Sequence, residues 1–338
     1  MRHPARPSPQ HVGFARIPSR TSPHVISGCT DMGVLDSPPD ALDEALLRML
    51  STALDGSASG HSGRHFISAC ITEQPKRSVS IVAQSMPARL RALTAPPECP
   101  PGWNVAPPDF IGIGAQRCGT TWWDGLITDH PGVCRPEGVT KELHFFDRFV
   151  TTPVPDSLAA DYARWFPRPS GLLAGEWTPR YMLDFWTPRL LARCAPEAKL
   201  IVCLRDPVER FSSGMALQVA SANHVLRGLY HLQLRRVLEY FSREQILILQ
   251  YEKCLDDPAG ELRRTYRFLG LAPDGHRPPA LCRRINASEP GAKPALQPHA
   301  REDLIAVLLD DVRALAAVFP EIDLDRWPAF AALARNAG

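Results

Sequence analysis

The stretch from Gly112 to Trp123, GIGAQRCGTTWW, has glycines at 114 and 119 with four residues between them, followed by the hydroxyls of Thr120 and Thr121. Glycines at both ends let the backbone turn tightly enough for successive N–H groups to face one concavity. A helix starting near Thr120 adds the positive end of its dipole. Such a cradle suits a phosphate. The lysine of a loop that binds a magnesium-bound triphosphate, G-x-x-x-x-G-K-[ST], is missing, because Thr120 stands in its place. Arg117 is the cation within the loop. A loop of this kind is poorly equipped for a magnesium triphosphate and fits a less charged, phosphate-linked donor. The alternative is a glycine turn that serves only strand-to-helix packing.

A second constellation is LRDPVERFSS, 204–213, after the apolar run KLIVCL. Arg205 falls at the end of that run, and Pro207 suits the first turn of a helix. Ser213 follows two helical turns after Arg205. An arginine at a strand end and a serine on the next helix can converge on one phosphate, the guanidinium supplying a bidentate fork. The alternative is a surface ion-pair cluster of Arg205, Asp206, Glu209 and Arg210. In KELHFFD, 141–147, one apolar residue separates Glu142 from His144. In an extended segment both side chains would project to one side and Lys141 to the other.

The elements that must position these groups follow from hydrophobic patterning. DFIGIGA, KLIVCLRDP (199–207) and QILILQYE (245–252) are apolar runs of the kind found in strands buried on both faces. Helical patterns lie at about 156–166, 187–195, 207–218, 226–242, 258–269 and 300–318. Strands alternating with helices predict an α/β fold, a doubly wound parallel sheet flanked by helices, in which ligands bind beyond the carboxyl ends of the strands. The glycine loop falls at such an end.

Composition bounds the rest. The chain has 338 residues, 44% of them hydrophobic, and a formal net charge of +2. It is long enough to bury a substantial core, and no global field argues for nucleic acid, so any anion site must be local. Residues 1–100 hold only two aromatic side chains, Phe14 and Phe66, and cannot easily offset their ordering entropy. They read as a mostly disordered or poorly packed extension with one amphipathic helix near 39–54, ahead of a folded domain over 105–338. Nine scattered cysteines without a C-x-x-C pair read as reduced thiols. With no transmembrane run and no apolar leader, a cytoplasmic protein is expected.

Taken together, GIGAQRCGTTWWDGLITDHPGV resembles the 5′-phosphosulfate loop of sulfotransferases that use 3′-phosphoadenosine 5′-phosphosulfate (PAPS), and LIVCLRDPVERFSSGM resembles their 3′-phosphate motif. KELHFFD, GEWTPRYM (175–182), the segment 228–258 and FLGL (268–271) follow in the family's order. The resemblance runs from about Pro108 to Trp327 and is closest to the bacterial and heparan-sulfate-type branch.

That resemblance implies a P-loop-like fold, PAPS as co-substrate, adenosine 3′,5′-bisphosphate as product, and no metal. By position, Arg117 replaces the family's usual lysine and would stabilise the departing oxygen. Cys118, Gly119, Thr120 and Thr121 would contact the 5′-phosphate, and Arg205 and Ser213 the 3′-phosphate. Glu142 would be the general base, with His144 assisting; the alternatives are an ion-pair partner and a structural histidine. Lys293 lies where relatives place a loop over the nucleotide. Glu176, Trp177 and Tyr181 would face the acceptor. Trp177 stands where relatives acting on heparan sulfate often carry a lysine, and an indole stacks on a sugar face rather than binding sulfate. Trp122 or Trp123, and Phe149, Trp165, Phe166 and His224, are further candidates for the acceptor pocket. The acceptor would be a carbohydrate, a glycolipid or a small hydroxylated molecule. A P-loop kinase or NTPase, or a non-catalytic nucleotide-binding module, would each explain part of the pattern.

Overall fold

The computed structural model describes residues 95–136, 139, 141–150, 152–215, 222–282 and 296–335. The chain divides into two units, Met1–Thr52 and Ala53–Gly338, and every described residue lies in the second. The helix expected near 39–54 lies outside the described residues.

The strands are β1 (Asn104–Val105), β2 (Phe110–Gly114), β3 (Val133–Cys134), β4 (Pro167–Arg168), β5 (Leu173–Trp177), β6 (Lys199–Leu204) and β7 (Ile246–Gln250). Five of them form one sheet in the order β3-β5-β2-β6-β7, and every pairing within it is parallel. β1 and β4 pair separately as a short antiparallel ribbon. All residues of β2 and β7, and all of β6 beyond Lys199, are buried. This is the expected consequence of apolar runs covered on both faces by helices.

The helices are α1 (Thr120–Thr128), α2 (Leu158–Ala163), α3 (Thr187–Cys194), α4 (Pro207–Met215), α5 (Ala222–Leu226), α6 (Tyr230–Leu238), α7 (Tyr251–Asp256), α8 (Pro258–Leu269), α9 (Pro298–Val318) and α10 (Ala331–Arg335). Local chemistry sets their ends. Asp257 accepts a hydrogen bond from Gly260 N at 2.8 Å to start α8, and Gly270, at φ 84°, ends it in the left-handed conformation. The helix expected over 226–242 is shorter, Tyr230–Leu238, because the chain turns at Arg227–Leu229, and the short α5 before that turn was not expected. Asp311 of α9 then accepts the N–H groups of His231 and Leu232, both at 2.9 Å, and closes the start of α6.

Topology places the site. β2 is central, its neighbours β5 and β6 are reached by crossovers to opposite sides, and the point where the strand order switches lies at the carboxyl end of β2. That end is held close by contact: a Cβ on Gly112 would lie 2.0 Å from the Trp177 ring, so the indole lies directly on the β2 backbone.

Candidate active site

The loop after β2 turns within 115–119. Ala115 N donates to Cys203 O at 2.8 Å, tying the loop to β6. Gly119 has φ 82° and caps α1 without a side-chain acceptor, which leaves the first amides of α1 available to an anion. Glycine is required there twice over, because a Cβ would also meet the Tyr251 ring at 2.7 Å. Arg117 too is left-handed, at φ 69°. A non-glycine residue in that region costs about 1–3 kcal/mol and marks functional segments more often than others. Cys118 lies inward: it is fully buried, with Sγ 3.7 Å from the Tyr230 hydroxyl, and burial pushes its thiol up to about 11. Only its backbone suits an anion.

The second motif meets the first. Asp206 receives Val208 N at 2.9 Å and Glu209 N at 3.3 Å and so caps α4, whose first residue is Pro207. Arg205, just beyond β6, carries its guanidinium 5.2 Å from the centre of the Tyr251 ring, and its carbonyl accepts the Tyr230 hydroxyl at 3.0 Å. Ser213 is buried two turns along α4, and its Oγ accepts Arg117 Nη2 at 3.2 Å. A surface ion-pair cluster of Arg205, Asp206, Glu209 and Arg210 is not formed among the described residues. Asp206 serves as a cap, Glu209 pairs with Arg301 at 3.5 Å, and Arg210 is buried against the His224 carbonyl. Arg210 Nε and Nη1 have no hydrogen-bond partner among the described residues. A buried guanidinium without an acid leaves positive potential behind the two motifs, although burial holds its pKa below the usual value.

The 141–147 segment is attached at the same end of the sheet. Glu142 N donates to Trp177 O, the last carbonyl of β5, at 3.1 Å, and Thr178 N donates to Gly112 O of β2 at 2.9 Å. The segment is not extended as predicted: Glu142 and His144 are left-handed, with φ of 66° and 53°. Their side chains nevertheless meet. His144 Nε2 lies 3.2 Å from Glu142 Oε2, and His144 Nδ1 lies 2.9 Å from Asp147 Oδ2. Lys141 does not point the other way; its Nζ donates to Glu142 Oε1 at 2.8 Å. Arg180 sits 3.8 Å from Asp147 and donates to Asp184 at 2.7 Å.

These contacts set the charges. The hydrogen bond from His144 draws the Glu142 carboxyl down to about 2, with Lys141 adding to it against the opposing effect of burial. For His144 burial acts to lower the pKa, but hydrogen bonds and charge from Asp147 and Glu142 outweigh it and raise the imidazole to about 9. At neutral pH the cluster is an imidazolium between two carboxylates. Asp147, three residues after His144, escaped sequence reasoning, though a carboxylate at i+3 of a candidate histidine is a readable signal.

The acceptor face expected of Glu176, Trp177 and Tyr181 is corrected, since all three are buried. Glu176 is 1% exposed and accepts three hydroxyls: Tyr162 at 2.7 Å, Thr178 at 2.6 Å and Tyr181 at 3.1 Å. Trp177 packs on Gly112, and its Nε1 donates to Gly114 O at 3.3 Å. β5 is interior to the sheet, which is why the two residues at its end are enclosed. Trp122 and Trp123 are also core, donating to Ala280 O at 3.2 Å and Thr265 Oγ1 at 3.0 Å. Trp165, Phe166 and His224 are buried as well, whereas Phe149 is partly exposed. Lys293 lies outside the described residues.

The glycine loop and the Arg205–Ser213 motif thus meet at the switch point of an α/β sheet, beside a paired carboxylate and imidazolium. Comparison with known families gives a match to the sulfotransferase domain over residues 107–297, more than half of the chain. The chain belongs to the sulfotransferase family. Heparan sulfate glucosamine 3-O-sulfotransferase 6 of Mus musculus is 31% identical over 206 residues, 54% of this chain and 58% of that protein. Heparan sulfate glucosamine 3-O-sulfotransferase 3B1 of Homo sapiens is 30% identical over 188 residues, 48% of this chain and 46% of that protein. The chain thus spans about half the length of these relatives. A solved sulfotransferase from Alicyclobacillus acidocaldarius aligns with a TM-score of 0.49 at 23% identity, covering 66% of this chain and 99% of its own.

The cytoplasmic location expected from cysteine usage and the polar N-terminal sequence is corrected by these relatives. They are named for heparan sulfate, and a further relative from Dictyostelium discoideum, 33% identical over 103 residues, is named membrane-associated. Reduced thiols and a polar N-terminus were too indirect to fix a compartment. Among the described residues no helix is long and apolar enough to cross a membrane.

Proposed function

We propose that this protein transfers the sulfuryl group of PAPS to a hydroxyl of a carbohydrate acceptor. The observation that carries the reading is the contact of Arg117 with Ser213, which brings the two phosphate motifs within one guanidinium's reach. In this reading the amides of Gly119, Thr120 and Thr121 hold the 5′-phosphate at the start of α1, and Arg205 and Ser213 hold the 3′-phosphate. Names of the relatives support the carbohydrate as acceptor.

The reaction is an in-line displacement. A lone pair of the acceptor oxygen forms a bond to sulfur, the bond from sulfur to the bridging oxygen of the 5′-phosphate breaks, and its electron pair leaves on adenosine 3′,5′-bisphosphate. The acceptor proton passes to the Glu142 carboxylate. A carboxylate held near 2 is fully ionised but a weak base. Proton transfer therefore comes late, once bonding to sulfur has made the acceptor hydroxyl acidic. Arg117 neutralises the charge that develops on the bridging oxygen. A guanidinium does not give up its proton near neutrality, so its role is charge and hydrogen bonding alone.

Ligand-dependent melting tests the donor. Adenosine 3′,5′-bisphosphate at a hundredfold excess over its dissociation constant is expected to stabilise the full chain by about 2.7 kcal/mol without added metal, and ATP with magnesium much less. The reverse ranking overturns the proposal.

A further inference from the structure

Glu176 is a buried carboxylate without a cationic partner among its contacts, and that is costly unless its hydrogen bonds are specific. Its two oxygens accept protons from Tyr162, Thr178 and Tyr181. Each hydroxyl has one proton and two lone pairs. With its proton spent on Glu176, a hydroxyl can only accept from its other neighbours. Thr178 Oγ1 accepts His144 N at 3.3 Å, and Tyr181 Oη accepts Phe145 N at 2.9 Å. Together with the bond from Glu142 N to Trp177 O, these fasten three amides of the base segment onto 177–181. Glu142 and His144 carry the left-handed backbone. Such conformations persist only where surrounding bonds over-determine them.

We propose that Glu176 is a positioning residue for the transfer reaction: its carboxylate orients the Thr178 and Tyr181 hydroxyls as acceptors, and these hold Glu142 and His144 in register. This rests on the reading of Glu142 as base. At 1% exposure Glu176 acts through the 142–147 backbone. The groups facing His144 are Glu142 with Lys141, Asp147 with Arg180, and the Thr178 hydroxyl, with Glu176 behind them, whose pKa burial raises against the lowering effect of its three hydroxyl donors. An amide in place of the carboxylate would bring a donor against one of these hydroxyls, freeing the hydroxyl proton to compete with a backbone N–H.

The test compares the full-length wild type with Glu176→Gln. Turnover is expected to fall at least about tenfold while KM for PAPS stays within about twofold, the signature of a group that acts on the reacting geometry rather than on donor binding. The imidazole of His144, followed by NMR, is expected to titrate below its wild-type value of about 9. Retained stabilisation by adenosine 3′,5′-bisphosphate confirms that the variant is folded. Wild-type turnover and an unmoved titration in the folded variant overturn the proposal. Should Glu176→Gln fail to fold, Thr178→Val and Thr178→Ser answer the same question. Valine is expected to reproduce the losses and serine to recover most of them, and equal behaviour of the two overturns the proposal. If the wild type transfers no sulfate, the function reading fails; faster amide exchange of His144 and Phe145 in folded Glu176→Gln then still upholds the hold of Glu176 on the 142–147 backbone, and unchanged exchange overturns it.

Discussion

The Arg117 guanidinium donates to the Ser213 hydroxyl at 3.2 Å, joining a loop and a helix that are 96 residues apart in sequence. The contact makes the site one unit, because the cation beside the proposed phosphosulfate also touches the serine assigned to the 3′-phosphate. Replacing Arg117 with alanine is therefore expected to lower turnover by about 10²–10³, the scale of a lost transition-state donor, and to weaken adenosine 3′,5′-bisphosphate as well. Lysine should recover most of the turnover, because the charge survives. Steady-state rates and calorimetric affinities of the two variants give the comparison.

Glu142→Gln removes the proton acceptor while keeping the shape of the side chain, its amide nitrogen then facing Lys141 or His144 as a second donor. Turnover should drop by about 10² or more with PAPS affinity nearly intact. Single-turnover rates measured at saturating donor would show it; an undiminished rate would remove Glu142 from the proton transfer.

The Glu142–His144–Asp147 cluster predicts an alkaline limit. His144 titrates at about 9 against an ordinary 6.5, so the stability it contributes is fully present below 6.5 and is lost as pH climbs through about 9. Glu142, depressed to about 2 from 4.5, contributes above 4.5 and loses its contribution only as pH falls through about 2. A neutral imidazole has one N–H for two carboxylates, so the alignment of Glu142 fails in the same alkaline window. Denaturation curves from pH 7 to 10 should show wild type losing stability, and His144→Gln losing less.

The close fit of Gly112 to Trp177 predicts a stability effect away from the chemistry. Alanine at 112 would place its Cβ 2.0 Å from a fully buried ring, in the central strand of the sheet. Overpacking of this kind costs about 1–3 kcal/mol or more, so the melting temperature should fall by several degrees. Pairing it with Trp177→Leu should return part of the loss.

Most of the scaffold was legible in the chain because apolar runs such as KLIVCL and ILILQ admit little besides interior parallel strands. The short α5 and the start of α6 at Tyr230 were not, since helical periodicity runs on through Arg227–Leu229. Around the site, side-chain types were readable and backbone conformation was not. Nothing in KELHFFD announces left-handed residues at 142 and 144, because those angles are imposed by bonds to Trp177, Thr178 and Tyr181. Glu176 and Trp177 read as site-facing because they end a strand at the right edge. Burial of that strand between two neighbours instead turned them into its support.

Sulfuryl transfer is tested by incubating the full chain with PAPS labelled in the sulfate and a heparan-type polysaccharide bearing free hydroxyls, then following the label by mass. Labelled acceptor and adenosine 3′,5′-bisphosphate are expected in equal amounts without added metal, and both are expected to be lost with Glu142→Gln. Nucleotide release without label on any hydroxyl acceptor, or undiminished transfer by that variant, would contradict the proposed function.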